Sequence, residues 1–216
     1  MRNLIFLTAT LLFLGCSLKT DVPVATMYEI HYSNKACSAE NKQKELKNVF
    51  IENVSALDMV DTRKILIVAE NKQKELKNVF IENVSALDMV DTRKILIVAE
   101  NNKIRYLSDA KFVSEPSEMV YKSLVKGLYS NCAAKPIFSP NAKDLRLKVS
   151  IISLQIRGDK AEVSLAYELF NANTSLKSGM ITKEIFCPDP SSSTIFDTIN
   201  KATNLAIDTL ISEIIS

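Results

Sequence analysis

The chain has a single histidine, His31, no tryptophan, and only four glycines among its 216 residues. One imidazole rules out a histidine-built metal cage, and no evident nucleophile accompanies His31 to begin a Ser-His-Asp triad. No glycine-rich phosphate loop, no Gly-x-Ser-x-Gly elbow and no paired-carboxylate motif occurs. No basic run exceeds two residues, and a formal net charge of +2 is too mild a field to hold nucleic acid. The sequence thus offers no catalytic residue, no cofactor site and no metal ligand set. His31 reads as a strand histidine inside the alternating run Tyr28-Glu29-Ile30-His31-Tyr32.

What the chain does have is an apolar start. Arg2 precedes Leu4 to Leu14, an h-region of signal-peptide length. A membrane span needs about 20 apolar residues, so this run is too short for one. It ends in Leu14-Gly15-Cys16, which resembles a bacterial lipobox, although Phe13 and Leu14 are bulkier than usual. Cleavage between Gly15 and Cys16 would leave Cys16 as the first residue, carrying acyl chains. At about 0.8 kcal/mol per buried methylene, several such chains hold a protein to a bilayer almost permanently. Residues 1–15 then read as a signal peptide, 16–27 as a lipidated tether with Pro23, and 28–216 as the folded domain. The expected location is the cell envelope, facing the periplasm. Ser17, where an Asp would favour inner-membrane retention under the enterobacterial rule, points to the outer membrane.

With Cys16 acylated, Cys37, Cys132 and Cys187 remain. Three thiols in an oxidising compartment permit one bridge with three pairings. Cys132–Cys187 is favoured because both fall at element ends near the two predicted helices, and Cys37 is the alternative partner.

Residues 41–70 recur without a change as 71–100, and Ala-Glu-Asn begins at positions 39, 69 and 99. Two copies do not make a solenoid, which needs at least three units to bury its faces. A perfect copy reads as a recent tandem duplication that the fold tolerates. Each copy carries two strand patterns, 48–54 and 64–69 in the first, and together they read as a duplicated β-hairpin. The second copy runs through Asn101-Asn102 into Ile104 to Leu107, a hairpin signal, and is expected to keep the native role.

Ser114-Glu115-Pro116-Ser117 opens a helix, with an N-cap candidate, an acid in the first turn and Pro where its missing N–H costs nothing. Val120, Tyr121, Leu124, Val125 and Leu128 form one apolar face, and the helix should end near Asn131. Asp144 to Arg157 alternates, then switches parity after Ile151, as at a β-bulge. Gly158-Asp159 turns the chain into a second alternating run, 161–169. Residues 171–175 turn it again into a third, 179–186. Residues 194–215 form a closing helix with Ile195, Ile199, Ala202, Ala206 and Leu210 on one stripe, widened by Phe196, Ile207, Ile211 and Ile214. The fold class is α+β: an antiparallel or mixed sheet with two helices packed on it, plus the duplicated hairpin.

Read together, 28–32 and 78–216 resemble the ABC-type transport auxiliary lipoprotein family, found beside Mce/Mla/Pqi-type lipid transport systems. The segment Ile104-Arg105-Tyr106-Leu107-Ser108-Asp109-Ala110-Lys111-Phe112-Val113 looks like the family's most recognisable stretch, with Lys111-Phe112-Val113 in place of the usual Arg-Trp-Ala. The resemblance implies an accessory subunit without catalysis, anchored by lipid and contacting an Mce-type periplasmic protein; association with further copies of itself is compatible with it. Tyr106, Leu107, Lys111 and Phe112 are the candidate contact residues. The alternative is a structural or assembly lipoprotein of the envelope that is unrelated to transport.

Overall fold

The computed structural model describes residues 24–33, 77–131 and 134–216 in full, and the backbone of 50–51 and 65–66. In chain order the elements are β1 (Thr26–Tyr28), β2 (Phe50–Ile51), β3 (Ile65–Leu66), β4 (Lys77–Ala86), β5 (Lys94–Val98) and β6 (Ile104–Phe112). Helix α1 (Pro116–Ser130) follows, then β7 (Ala134–Ile137), β8 (Leu145–Arg157), β9 (Lys160–Asn171), β10 (Thr174–Phe186) and α2 (Ser192–Ile215). β2 and β3 pair with each other, antiparallel. The remaining eight strands form one mixed sheet, so the α+β reading holds.

β8 is the spine of that sheet. On one side it pairs antiparallel with β9 along its whole length, and β9 pairs in turn with β10. On the other side two strands share its edge. β4 lies parallel to its first half, with Ala86 opposite Ile151, and β5 lies parallel to its end, with Leu96 opposite Gln155. The two strands of the second repeat copy are therefore not a hairpin. Both run in the same direction along one long strand, and residues 87–93 carry the chain from one to the other. β7 closes the sheet beyond β4, and β6 then β1 close it beyond β5. The β5–β6 turn does form at Asn101-Asn102, with Asn102 at φ 61, a left-handed conformation that Asn tolerates.

Period-2 patterning puts one face of this sheet into the core. Ala161, Val163, Leu165, Tyr167 and Leu169 of β9 are buried, as are Leu147, Val149 and Ile151 of β8. A bulge between Ile151 and Ser153 then resets parity, so that Leu154 and Ile156 continue the core. The whole apolar stripe of α2 named above is buried against that face. Each isoleucine, leucine or phenylalanine of the stripe contributes roughly 1.5–3 kcal/mol by leaving water.

Three local expectations are corrected. The first strand is Thr26–Tyr28, not 28–32. At α1 the N-cap position is Glu115, with no side-chain cap bond, and the first-turn acid is Glu118. The cap comes from elsewhere: Asp91 of the 87–93 turn accepts from Ser117 N and from Ser117 Oγ, both at 3.0 Å. Finally, β7 is a strand the patterning missed.

α2 has no basic residue in its last turn. Its terminal carbonyls are met by lysines from the sheet, Lys77 Nζ on Ile214 O and Ile215 O, and Lys177 Nζ on Glu213 O. Cations at that end complement the helix dipole. Lys177 also bonds the Glu213 carboxylate, which raises the lysine and lowers the acid from their ordinary pKa values.

Candidate interaction face

Of the run 28–32 read as strand from its alternation, only Tyr28 is in a strand; residues 29–33 form instead a strap across the helix pair. Ile30 and Tyr32 are buried. Ile30 N donates to Met119 Sδ of α1 at 3.4 Å. The strap's other bonds to the helices go to one stripe of α2. His31 N donates to Asn200 Oδ1 (3.0 Å), Ser33 N to Asn204 Oδ1 (3.0 Å), and Tyr32 Oη to Asp208 Oδ1 (2.5 Å). Asn204 Nδ2 donates back to His31 O at 2.9 Å. Asn200, Asn204 and Asp208 recur every four residues, so they lie one above another on the helix. They present to the strap what a neighbouring strand would. The sequence reading missed these three residues. Their signal is a polar stripe at helical spacing beside the apolar one.

Both helices pack on the core face. The opposite face carries Tyr106, Lys94 and Lys111, with Lys94 Nζ 5.2 Å from the Tyr106 ring centre. Lys111 pairs across to Lys94 in register, and Met27 of β1 pairs to Lys111, so the three share that face. Tyr106 is 41% exposed and Lys111 is exposed. Leu107 is half-buried and packs on the core. Phe112 is only 1% exposed and lies edge-on to Phe196, 6.4 Å between ring centres, so it is a core residue and not a contact residue. Along β6, β5 covers one edge, while β1 covers the other only from Ala110 to Phe112.

Further along the helix-free face, Ser164 and Thr182 share a hydroxyl bond of 2.9 Å, and Arg146 and Lys148 flank Glu82. Where β8 turns into β9, a polar hollow of about 260 Å³ is lined by Glu100, Arg157, Lys160, Glu162 and Glu184. Its cations are paired, Arg157 with Glu162 and Lys160 with Glu184, both at 3.0 Å. With both cations paired, the hollow offers no spare positive charge with which to hold an anionic ligand firmly.

Among the described residues, no group of His, Cys, Asp and Glu is placed to hold a metal ion. No described helix is long and apolar enough to cross a membrane. His31 is exposed, and its Nδ1 faces Glu29 O at 3.1 Å. The half-buried Cys187 is a free thiol, 3.3 Å from Asp189 O. Gly15, Cys16, Cys37 and Cys132 lie outside the described residues, as does most of the first repeat copy.

A family model described as ABC-type transport auxiliary lipoprotein component matches residues 66–214. No curated protein matches the chain in sequence. Among solved structures, one of an uncharacterised protein superposes with a TM-score of 0.58 at 13% identity, over 66% of this chain and 96% of that one. Protein XCC0632 from Xanthomonas campestris, of the DUF330 family model, superposes with a TM-score of 0.57 at 12% identity, over 63% and 81%. At such identities these two structures speak for the fold alone.

Proposed function

Since the chain belongs to the ABC-type transport auxiliary lipoprotein family, we propose that it is the non-enzymatic, periplasm-facing lipoprotein subunit of an ABC-type intermembrane lipid transport system. The family match over 66–214 carries this reading. Leu14-Gly15-Cys16 supports the anchor, and Ser17 favours the outer membrane as its destination. The strap gives the anchor something to pull on. The chain arriving from Cys16 is bound first to β6 through β1, then to both helices through 29–33.

The subunit acts by contact, and ATP hydrolysis and the lipid path belong to other chains of the system. Tyr106 and Lys111, exposed on the helix-free face, meet an Mce-type periplasmic component. A photo-crosslinking residue at position 106 of the full-length lipoprotein, irradiated in intact envelopes, tests this. Crosslinks to an Mce-domain protein are the expected result. Crosslinks only to envelope proteins unrelated to transport would favour the structural lipoprotein instead. Metabolic labelling with a fatty acid should mark the chain and be lost in Cys16→Ser.

A further inference from the structure

The 87–93 turn raises two large apolar side chains, Leu87 and Met89, which are 50% and 47% exposed. The turn does not need them for its own order. Val90 N and Asp91 N both donate to Leu87 O (2.7 and 2.9 Å), Leu87 N donates to Ile151 O (3.3 Å), and Ser117 fixes Asp91. Arg93 then ties the turn to the strand that leads in from the tether. Its Nη2 lies 3.8 Å from Met27 Sδ, its Nε donates to Phe112 O (3.1 Å), and its own carbonyl receives Phe112 N (2.7 Å). Val113 N donates to Tyr28 O at 2.8 Å. Met27 (50% exposed) and Val113 (40%) therefore stand at the same end as the turn. Lys94 and Lys111 lie beside them; the opposing charges there are Asp88 and the Ser117-bound Asp91 in the turn, and Glu115 at the start of α1.

The length of chain leading to this end decides what can cover it. β1 begins at Thr26. A fully extended chain from Cys16 to Thr26, at roughly 3.3–3.6 Å per residue, reaches at most about 35 Å. A tethered contact is also intramolecular, so a small apolar tip engages at an effective concentration that no free partner matches.

We propose that Leu87, Met89, Val113 and Met27 seat on the surface of the bilayer that holds the anchor, with Lys94 at headgroup level. The inference rests on acylation of Cys16. Partial insertion of such a tip reaches about 5–10 Å, to the boundary of headgroups and acyl chains.

The chain has no tryptophan, so a single introduced indole reports unambiguously. Full-length lipidated Leu87→Trp, Met89→Trp and, as reference on the outer side of α2, Leu205→Trp are reconstituted in phosphatidylethanolamine–phosphatidylglycerol vesicles with acyl-brominated lipid. Emission from positions 87 and 89 should shift to the blue and be quenched, while position 205 stays unquenched. Indoles at 87 and 89 that behave like that at 205, in protein that floats with the vesicles, would overturn the docking and leave the anchor standing. A blue shift that grows with protein concentration without bromine quenching would overturn it by assigning the tip to another copy. Protein that fails to float removes the anchor, and the docking with it.

Discussion

The side-chain amide of Asn204 grips the backbone of Ser33 and His31, accepting Ser33 N at 3.0 Å and donating to His31 O at 2.9 Å. One carboxamide thus satisfies a donor and an acceptor two residues apart, as a β-partner would. Removing it leaves both groups without that partner in a half-buried groove. Asn204→Leu should cost about 2 kcal/mol, because an unmet buried polar group costs about 1–3 kcal/mol. Urea unfolding reads the loss, and hydrogen exchange should locate it at the Ser33 amide. An unchanged midpoint would mean that the strap is held by β1 alone.

Gly127 of α1 packs directly against α2 side chains. A Cβ there would stand 2.8 Å from Ile211 Cδ1, 3.2 Å from Ile207 Cγ2 and 3.3 Å from the Tyr32 ring. Gly127→Val should destabilise by about 2 kcal/mol, in the ordinary range for overpacking. Ile211→Val removes the methyl in closest conflict. Combining it with Gly127→Ala should therefore give a favourable coupling of about 1 kcal/mol in a double-mutant cycle. Strict additivity would place the obstruction elsewhere.

Asp144 gives the fold a dependence on acid. The backbone N–H of Asn141 (2.7 Å) and the side-chain amide of Asn78 (2.9 Å) both donate to its carboxylate and hold its pKa below the ordinary value. A depressed acid stabilises the fold above its unfolded pKa, about 3.9. That contribution fades as pH falls through the lower folded value. Between pH 5 and pH 2.5, unfolding temperature should therefore fall less steeply in Asp144→Asn than in the wild type. Parallel curves would show that the two amide bonds do not discriminate the charged form.

Local pattern made much of this fold legible. The parity switch after Ile151 marked the β8 bulge, and the stripe from Ile195 to Leu210 marked the buried face of α2. What escaped depends on partners far away in sequence. Nothing in 78–99 shows that two strands of one repeat will lie in file along β8, because their common partner comes some fifty residues later. β7 is four residues long and contains Pro136, which suits only a sheet edge. Phe112 was misplaced among the contact candidates for a simpler reason. Successive residues of a strand face opposite ways, so Lys111 and Phe112 could not both be on the surface. Asn200, Asn204 and Asp208 were passed over because the apolar stripe beside them already explained the helix.

The exact repeat offers a last test, since deleting 41–70 or 71–100 yields the same polypeptide. The structure places 77–86 and 94–98 in the sheet, in contact with β7, β8 and β6. Ser117 depends on Asp91 from the same copy. The single remaining set should take those places, with its Asp capping α1. The connection over 34–76 then shrinks to roughly a third of its length. A loop-closure cost that grows with the logarithm of length falls by about 1 kcal/mol on such a shortening. The shortened protein should accordingly keep the far-ultraviolet dichroism of the sheet and unfold at an equal or slightly higher urea concentration. A loss of several kcal/mol would show that both copies are built into the fold, and that the extra thirty residues are structure and not insertion.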